Sequence, residues 1–184
     1  MSSGTKTPTL FAWTASGVTL GLIVVAQFLP RGESPVLRTA GIATLLLSGV
    51  LVFWPFHLLA KHGAVGKRQP YMQATAVVAC GLYAVIRHPQ YLGYALLACG
   101  FALLSQHWIS WLLAGTGITC FYVQAVYEEK DCLARLGESY AQYCRRVPRF
   151  NVILGLARLV WGGLRGASVG FVQIVAQTPN SAQK

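Results

Sequence analysis

The chain has 184 residues, of which 54% are hydrophobic and 11% are charged, and its formal net charge is +10. Because the apolar residues come in blocks of about 20, the length that crosses a hydrocarbon core, this composition indicates an integral membrane protein and excludes an ordinary water-soluble domain. The basic residues lie in short segments between the apolar blocks and form no continuous stripe, which argues against nucleic acid and favours lipid headgroups as counterions.

The N-terminal third predicts two membrane-spanning helices. Residues 10–29 are apolar and long enough to span, and without a signal-peptide cleavage site after them we expect them to remain as the first span. Residues 36–59 form the second predicted span, with Pro55 near its end. The polar segment 61–73 contains two glycines and a proline and is predicted to be a loop.

The next segment, residues 74–86, is apolar but too short to span. We predict a re-entrant or interfacial segment, because non-helical backbone at membrane depth is tolerated only where it lines a cavity or packs on protein. Pro89 suits the first position of a helix, since its missing N–H has no intrahelical partner there. His88 is biased away from helix by the proline that follows it, so we expect it just outside the helix and Tyr91 in the first turn.

Two further apolar runs predict a helical hairpin. The run that begins at Pro89 and the run that ends at Tyr127 are joined by residues 105–107 alone. Such a short link forces an antiparallel pair that crosses most of a ~30 Å hydrocarbon core and returns. The outer ends of the hairpin are thereby brought to one membrane face, together with the side chains of His88, Tyr91, Glu128 and Glu129.

The chain after residue 130 is predicted to leave the hydrocarbon core. Residues 130–149 are polar and suit a helix in water or at the headgroups. Residues 151–177 are apolar, but they carry Arg158 and Arg165 on one helical face, so an interfacial helix is favoured over a fifth span. Most lysines and arginines fall in residues 61–87 and after residue 130, which predicts that this face is cytoplasmic, in a bacterial inner membrane.

Five cysteines, an odd number, show no metal-type spacing. Three lie in or beside apolar runs and two lie on the predicted cytoplasmic side, where thiols stay reduced. Neither a disulfide nor a bound metal is expected.

A charged and aromatic island interrupts the apolar pattern at residues 81–93, which contain Gly-x-Tyr-x-x-x-Arg-His-Pro-x-Tyr-x-Gly. After the hairpin come Glu128-Glu129, Leu136-Gly137, Tyr140, Tyr143 and Arg146-Val147-Pro148-Arg149. This ordered series covers residues 75–149 and resembles the superfamily of isoprenylcysteine carboxyl methyltransferases and phospholipid methyltransferases, which are integral membrane enzymes. Tyr140 and Tyr143 by themselves are interpreted as interfacial aromatic residues.

The resemblance implies a site for S-adenosylmethionine. This sulfonium cation suits aromatic faces, which Tyr83 and Tyr91 can supply by cation–π attraction, and a carboxylate for its ribose or amino group, which Glu128 can supply. The implied cofactor-binding residues are Tyr83, His88, Pro89, Gln90, Tyr91 and Glu128. The implied lining of the adenine side is Thr75, Ala76, Val77 and Val78.

One position departs from the family members that methylate the carboxylate of prenylated cysteine. They carry an arginine one helical turn before the glutamate pair, where this chain has Gln124. A guanidinium can donate two parallel hydrogen bonds to a carboxylate, whereas a neutral amide cannot neutralise that charge in a low-dielectric pocket. We therefore predict that Gln124 contacts the substrate, and that the acceptor is a neutral, thiol or amine group on an apolar molecule.

The predicted fold is all-α and integral to the membrane, with four or five transmembrane helices and a C-terminal cytosolic or interfacial helical segment. We expect one membrane domain, with residues 1–73 as a hairpin and loop, 74–149 as the cofactor-binding catalytic core, and 150–184 as an interfacial helix and tail. The implied activity is S-adenosylmethionine-dependent methyl transfer to a lipophilic small molecule or lipid. Two alternatives stay open: an NADPH-dependent enzyme similar to the sterol reductases, and a non-catalytic membrane scaffold.

Overall fold

The computed structural model describes residues 7–62, 76–77, 79–164 and 175–176. In chain order the elements of this part are α1 (Thr7–Phe28), α2 (Pro35–His62), β1 (Ala76–Val77), α3 (Leu82–Val85), α4 (Pro89–Ser105), α5 (Trp108–Arg146), α6 (Val152–Leu164) and β2 (Val175–Ala176). The two short strands pair with each other in antiparallel register. The predicted all-α class is confirmed, with this strand pair as the one addition among the described residues.

Three helices in the described ranges are long and apolar enough to cross a membrane, namely Leu10–Phe28, Pro35–Leu58 and Trp108–Arg146. Helix α4 has 17 residues, and at ~1.5 Å per residue it covers most of a ~30 Å hydrocarbon core. Together these are the four spans that the sequence predicts, and the protein is an integral membrane protein. Helix α6 has 13 residues, which is short for a span.

Large apolar side chains point outward from the first two helices. Phe53 on α2 is 73% exposed, and Trp13 and Phe28 on α1 are exposed to a similar degree. Exposed apolar side chains of this size are unfavourable in water, but they are ordinary on a protein in contact with lipid tails.

The chain folds into two compact units that do not follow chain order. Unit one comprises Met1–Phe53 and Gln90–Lys130, and unit two comprises Trp54–Pro89 and Asp131–Lys184. The single-domain organisation expected from the sequence stays a prediction.

In unit one, helix α4 packs closely on α2 through glycines. A Cβ atom added at Gly93 would lie 2.8 Å from Val52 Cγ2, and one added at Gly100 would lie 2.6 Å from Leu45 Cδ2. The Ser48 hydroxyl donates a hydrogen bond of 2.9 Å to the Gly93 carbonyl oxygen. Small residues therefore let the two backbones approach, as they do in other membrane bundles.

The link between α4 and α5 is short, as predicted, and one side chain holds it. The Gln106 amide accepts a hydrogen bond from Ser34 N at 3.1 Å and donates one to Ser34 O at 2.9 Å. Nearby, Gly32 N donates to Ser105 O at 3.2 Å. The α1–α2 link and the α4–α5 link therefore lie side by side at one end of unit one.

Helix α5 is longer than the sequence pattern indicates. The apolar leg and the polar helix predicted after residue 130 form one 39-residue helix, in which Gly137 alone has non-helical angles, with φ 57° and ψ −134°. No proline separates Tyr127 from Lys130, so nothing in the backbone stops the helix where its polarity changes. At ~1.5 Å per residue the helix is about twice as long as a hydrocarbon core is thick, so only its apolar part spans.

In unit two, a hydrophobic core is formed by buried side chains from β1, from the last part of α5 and from the residue that follows this helix, namely Val77, Leu136, Tyr140, Tyr143 and Val147. The interpretation of Tyr140 and Tyr143 as interfacial aromatics is wrong, because both rings are buried. Their spacing of three residues puts them on one helical face, and that face packs inward.

Helix α6 begins at a cap and has an apolar outer face. The Asn151 side chain accepts a hydrogen bond of 2.9 Å from Leu154 N, which is a typical N-cap contact. Ile153 is 83% exposed, and Trp161 is also exposed. Arg158 donates hydrogen bonds to the carbonyl oxygens at the C-terminus of α5. Arg165, the second arginine used to predict an interfacial helix, lies outside the described residues.

Candidate functional site

The outer ends of the hairpin meet, as the short link requires. The Tyr91 hydroxyl, in the first turn of α4, donates a hydrogen bond of 2.8 Å to Glu128 Oε2 on α5. The two residues are 37 positions apart in the chain. This contact confirms that the hairpin brings the predicted aromatic and acidic residues to one end of the bundle.

Gln124 forms a polar cluster with Tyr91 and Glu128 in unit one. It lies four residues before Glu128, so the two side chains share a face of α5. Its side chain is a second polar neighbour of the Tyr91 hydroxyl. Gln124 is only 1% exposed, and its Oε1 atom has no hydrogen-bond partner among the described residues. Buried acceptors are nearly always paired, so this atom is suited to a ligand that carries a donor.

Gln90, the residue before Tyr91, has a buried side-chain donor, whereas the unpaired atom of Gln124 is an acceptor. Its Nε2 atom is buried and likewise lacks a hydrogen-bond partner in the part of the chain that the structure describes. The cluster thus holds a paired tyrosine and carboxylate with an unpaired acceptor, and the residue before Tyr91 adds a buried donor, both of them unpaired among the described residues. Such a set can bind a ligand that has both acceptor and donor groups.

A cavity of about 340 Å³ adjoins this cluster inside unit one. Its walls come from α1, α4 and α5, and the lining residues are Ala12, Ser16, Thr19, Leu20, Ile23, Tyr91, Tyr94, Leu97 and Phe121. The Tyr94 and Phe121 rings stack at 5.2 Å, and the Tyr91 ring lies 6.0 Å from Phe121. Sequence reasoning missed the contribution of α1, because this helix carries no motif and no charged residue.

Unit two holds the remaining part of the motif. Pro89 is the first residue of α4, and His88 lies just outside the helix, as predicted. His88 is 6% exposed, and its ring lies 5.8 Å from that of Phe150. Arg87 N donates to Pro148 O at 3.0 Å, and His88 N donates to Arg149 O at 3.4 Å. Two motif segments, which are far apart in the sequence, are therefore joined through their backbones.

Tyr83 lies in α3, and its backbone is tied to the same framework. The Tyr143 hydroxyl donates a hydrogen bond of 2.7 Å to Tyr83 O. Gly81 precedes α3 with φ 56° and ψ −127°, a conformation that favours glycine strongly. A Cβ atom at Gly155 of α6 would overlap the Val85 carbonyl oxygen, so α6 packs directly on the end of α3.

The predicted adenine side is described only in part. Ala76 and Val77 form β1, and the Val77 side chain lies in the core of unit two. Thr75 and Val78 lie outside the described residues. The assignment of these four residues to the cofactor stays a prediction.

A sequence model of the family described as phospholipid methyltransferase matches residues 36–139, more than half of the chain. The match includes the Arg87-His88-Pro89 motif, Gln124 and Glu128, and it leaves out α1.

Two curated relatives carry methyltransferase names. Methanethiol S-methyltransferase 2 of Bradyrhizobium diazoefficiens is 30% identical over 128 residues, which is 62% of this chain and 49% of that protein. Protein-S-isoprenylcysteine O-methyltransferase of Schizosaccharomyces pombe is 36% identical over 73 residues, 39% of this chain and 31% of that protein. The chain therefore spans half or less of the length of each of these relatives. No solved structure matches it significantly.

Proposed function

The chain belongs to the phospholipid methyltransferase family, and from this premise we propose that it transfers a methyl group from S-adenosylmethionine to a lipophilic acceptor in the membrane. The family indicates the reaction class. The observation that carries the site is the 2.8 Å hydrogen bond between Tyr91 and Glu128 in unit one.

The residues of this cluster fit the proposed cofactor. The buried Nε2 donor of Gln90, which has no partner among the described residues, suits the carboxylate of an amino acid group. The Tyr91 ring suits a sulfonium cation, and the Glu128 carboxylate can accept hydrogen bonds from an ammonium or from ribose hydroxyls. When bound, the cofactor would supply an electrophilic methyl group on a positively charged sulfur.

The work of the protein is then alignment and exclusion of water. Tyr91 holds the Glu128 carboxylate by its hydrogen bond, so this carboxylate is oriented before any ligand binds. Apolar walls beside the cluster keep water away from the reacting atoms, and holding two reactants in line replaces a bimolecular encounter. The sequence motif supports a further role in cofactor binding for Tyr83, His88 and Pro89, and for residues 75–78 beside the adenine.

The acceptor is proposed to be a neutral thiol or amine and not a carboxylate. The buried Oε1 atom of Gln124 needs a donor, which a thiol or amine offers and a carboxylate does not. The Bradyrhizobium relative is named for transfer to the sulfur of methanethiol. This name supports a thiol as the first choice.

We also propose that the site faces the cytoplasm of a bacterial cell. Basic residues follow the span of α5 and include Lys130, Arg135, Arg145 and Arg146. An excess of lysine and arginine close to the end of a span favours the cytoplasmic side. The reductase and scaffold alternatives are not favoured, since the family match is to methyltransferases.

The test uses the full chain purified in detergent. S-adenosylhomocysteine is expected to raise the Tm, because a ligand that binds only the folded state stabilises it by mass action. Methyl transfer from labelled S-adenosylmethionine is then measured with thiols, prenylcysteines and phospholipids. The absence of both a Tm shift and transfer to any of the three classes would refute the proposal.

Two variants that each remove one carboxylate charge test whether the cofactor binds at Glu128. Glu128→Gln keeps the size of the side chain and removes its charge, so the Tm shift with S-adenosylhomocysteine should disappear. The matched control is Glu138→Gln on the same helix, whose side chain is exposed and contacts only Arg145 at 3.8 Å among the described ion pairs. It should bind as the parent does.

A further inference from the structure

We infer that the cavity between α1, α4 and α5 binds the methyl acceptor, that this acceptor is a compact apolar thiol, and that α1 sets its size. This inference rests on the proposed methyltransferase function and names the substrate class of the same site. All of the residues involved belong to unit one.

The cavity and the polar cluster share Tyr91. Tyr91 lines the cavity with Tyr94 and Phe121, and its hydroxyl binds Glu128 and neighbours Gln124. An apolar molecule in the cavity therefore contacts the ring of the residue whose hydroxyl meets a carboxylate and an amide. The S–H group of a thiol is a donor, and the unpaired Oε1 of Gln124 is an acceptor.

The volume of the cavity favours a compact acceptor. The cavity holds about 340 Å³. An apolar cavity of about 150 Å³ accommodates benzene, so by proportion this one accommodates roughly fourteen non-hydrogen atoms. A farnesylated cysteine is larger than that and would extend beyond the pocket, whereas a short alkyl or aryl thiol fits inside it.

Helix α1 contributes most of the residues that line the cavity. Five of the nine lining residues come from α1, which lies outside the family match at residues 36–139. Ser16 and Leu20 are exposed, and Leu20 is 63% exposed, so the pocket opens along α1 toward the lipid. A lipophilic thiol can enter there directly from the bilayer. The part of the site that discriminates between acceptors is thus a helix that the family sequence does not specify.

Methyl transfer from S-adenosylmethionine to a thiol needs no further reactant. The acceptor sulfur forms a bond to the methyl carbon, and the bond from that carbon to the sulfonium sulfur breaks with its electron pair remaining on the sulfur. The thiol proton is released to solvent. The products are a methyl thioether and the neutral thioether S-adenosylhomocysteine.

The test compares two substitutions on α1. Ser16→Phe fills the pocket, whereas Thr14→Phe places the same ring on a neighbouring exposed position that does not line it. With alkanethiols from ethanethiol to decanethiol, we expect Ser16→Phe to lower the ratio of kcat/KM for octanethiol to that for ethanethiol at least tenfold. Thr14→Phe should keep the chain-length profile of the parent. Leu20→Ala, which widens the pocket, should move the profile toward bulkier thiols and serves if Ser16→Phe does not fold.

A binding measurement separates this inference from the proposed function. A diazirine-bearing alkanethiol is photolysed with the full chain in detergent without cofactor, and the labelled peptides are mapped by mass spectrometry. We expect labels on residues 12–23 and 91–97 that octanethiol competes away and excess phospholipid does not. Competition by phospholipid alone would mean that a lipid chain occupies the cavity, and would overturn the inference.

The two hypotheses fail differently. Transfer to thiols by the parent, with Ser16→Phe unchanged in both chain-length profile and labelling, would overturn the pocket and leave the methyltransferase intact. Labelling of α1 as expected, with no methyl transfer to any acceptor, would support the pocket as a thiol-binding cavity and refute the proposed function.

Discussion

At the scale of single residues, Tyr91 joins the polar cluster to the apolar cavity. Its hydroxyl donates to the Glu128 carboxylate at 2.8 Å, and its ring forms part of the cavity wall. Hydrogen bonds to charged groups contribute about 1.5–3 kcal/mol to stability. This one orients the Glu128 carboxylate, which we propose binds the cofactor.

Tyr91→Phe should weaken binding of S-adenosylhomocysteine about tenfold or more, because the carboxylate loses the group that positions it. The Kd is measured by isothermal titration calorimetry. Tyr127→Phe is the control, since it also removes one hydroxyl while keeping the ring that stacks on Phe11 at 5.6 Å. Equal affinities of the two variants would contradict the assigned role.

Gln124 provides a second test at the scale of single residues. Its buried Oε1 atom has no hydrogen-bond partner among the described residues, and a buried unpaired acceptor destabilises the folded state. Gln124→Leu removes an unsatisfied acceptor at similar volume, so the Tm should stay at or above that of the parent while kcat/KM for thiols falls. A residue with a purely structural role would lower the Tm instead. Robust turnover of a farnesylcysteine analogue, unaffected by this substitution, would show that the inferred acceptor is wrong.

At the scale of secondary structure, Gly137 allows α5 to change course within one helix. Its φ of 57° and ψ of −134° lie in a region that other residues rarely adopt, and an added Cβ would meet no atom within 4 Å. Any cost of Gly137→Ala therefore comes from the backbone alone, at about 1–3 kcal/mol.

Gly137→Ala should lower the Tm measured by thermal unfolding in detergent. The matched control is Gly115→Ala in the same helix, where an added Cβ likewise has open space and the backbone is helical. That change should leave the Tm equal or raise it, because alanine is favoured over glycine inside a helix by about 0.5–1 kcal/mol. Equal behaviour of the two variants would mean that the break at Gly137 does not exist in the folded protein.

At the scale of the whole molecule, the hairpin fixes which chain segments share a membrane face. The α1–α2 and α4–α5 links lie together through the Gly32 to Ser105 hydrogen bond, at the start of α5. Lys130 follows the apolar part of α5, which is long enough to cross the membrane.

Cysteines introduced at Glu33 and Lys130 should therefore be labelled from opposite sides. An impermeant maleimide is applied to cells and to inverted vesicles, in a background without the five native cysteines. The cysteine at position 130 should react from the cytoplasmic side, given the basic residues around it. Labelling of both positions from one side would refute the hairpin and the shared location of Tyr91 and Glu128.

The sequence by itself determined the spans, the hairpin and the cluster at its outer end. Apolar length gives the spans, and a link as short as Gln106–His107 permits no other arrangement than an antiparallel return. The meeting of Tyr91 with Glu128 follows from these two facts, because both residues lie at the outer ends of the legs. Pro89 as the first residue of α4 followed from local stereochemistry alone.

Only the tertiary structure decided which helices enclose the cavity, which glycines face a neighbour, and which aromatic rings are buried. In a soluble protein the polar and apolar faces of a helix indicate what it packs against, but lipid tails are as apolar as a protein interior. Helix α1 therefore gives no sequence signal for the face that lines the cavity with Ser16 and Ile23. For the same reason the sequence does not show which helix packs on Gly93 and Gly100. A small residue indicates close packing but does not identify the neighbouring helix. The unpaired state of Gln124 Oε1 among the described residues likewise depends on how the surrounding side chains pack, which the sequence does not state.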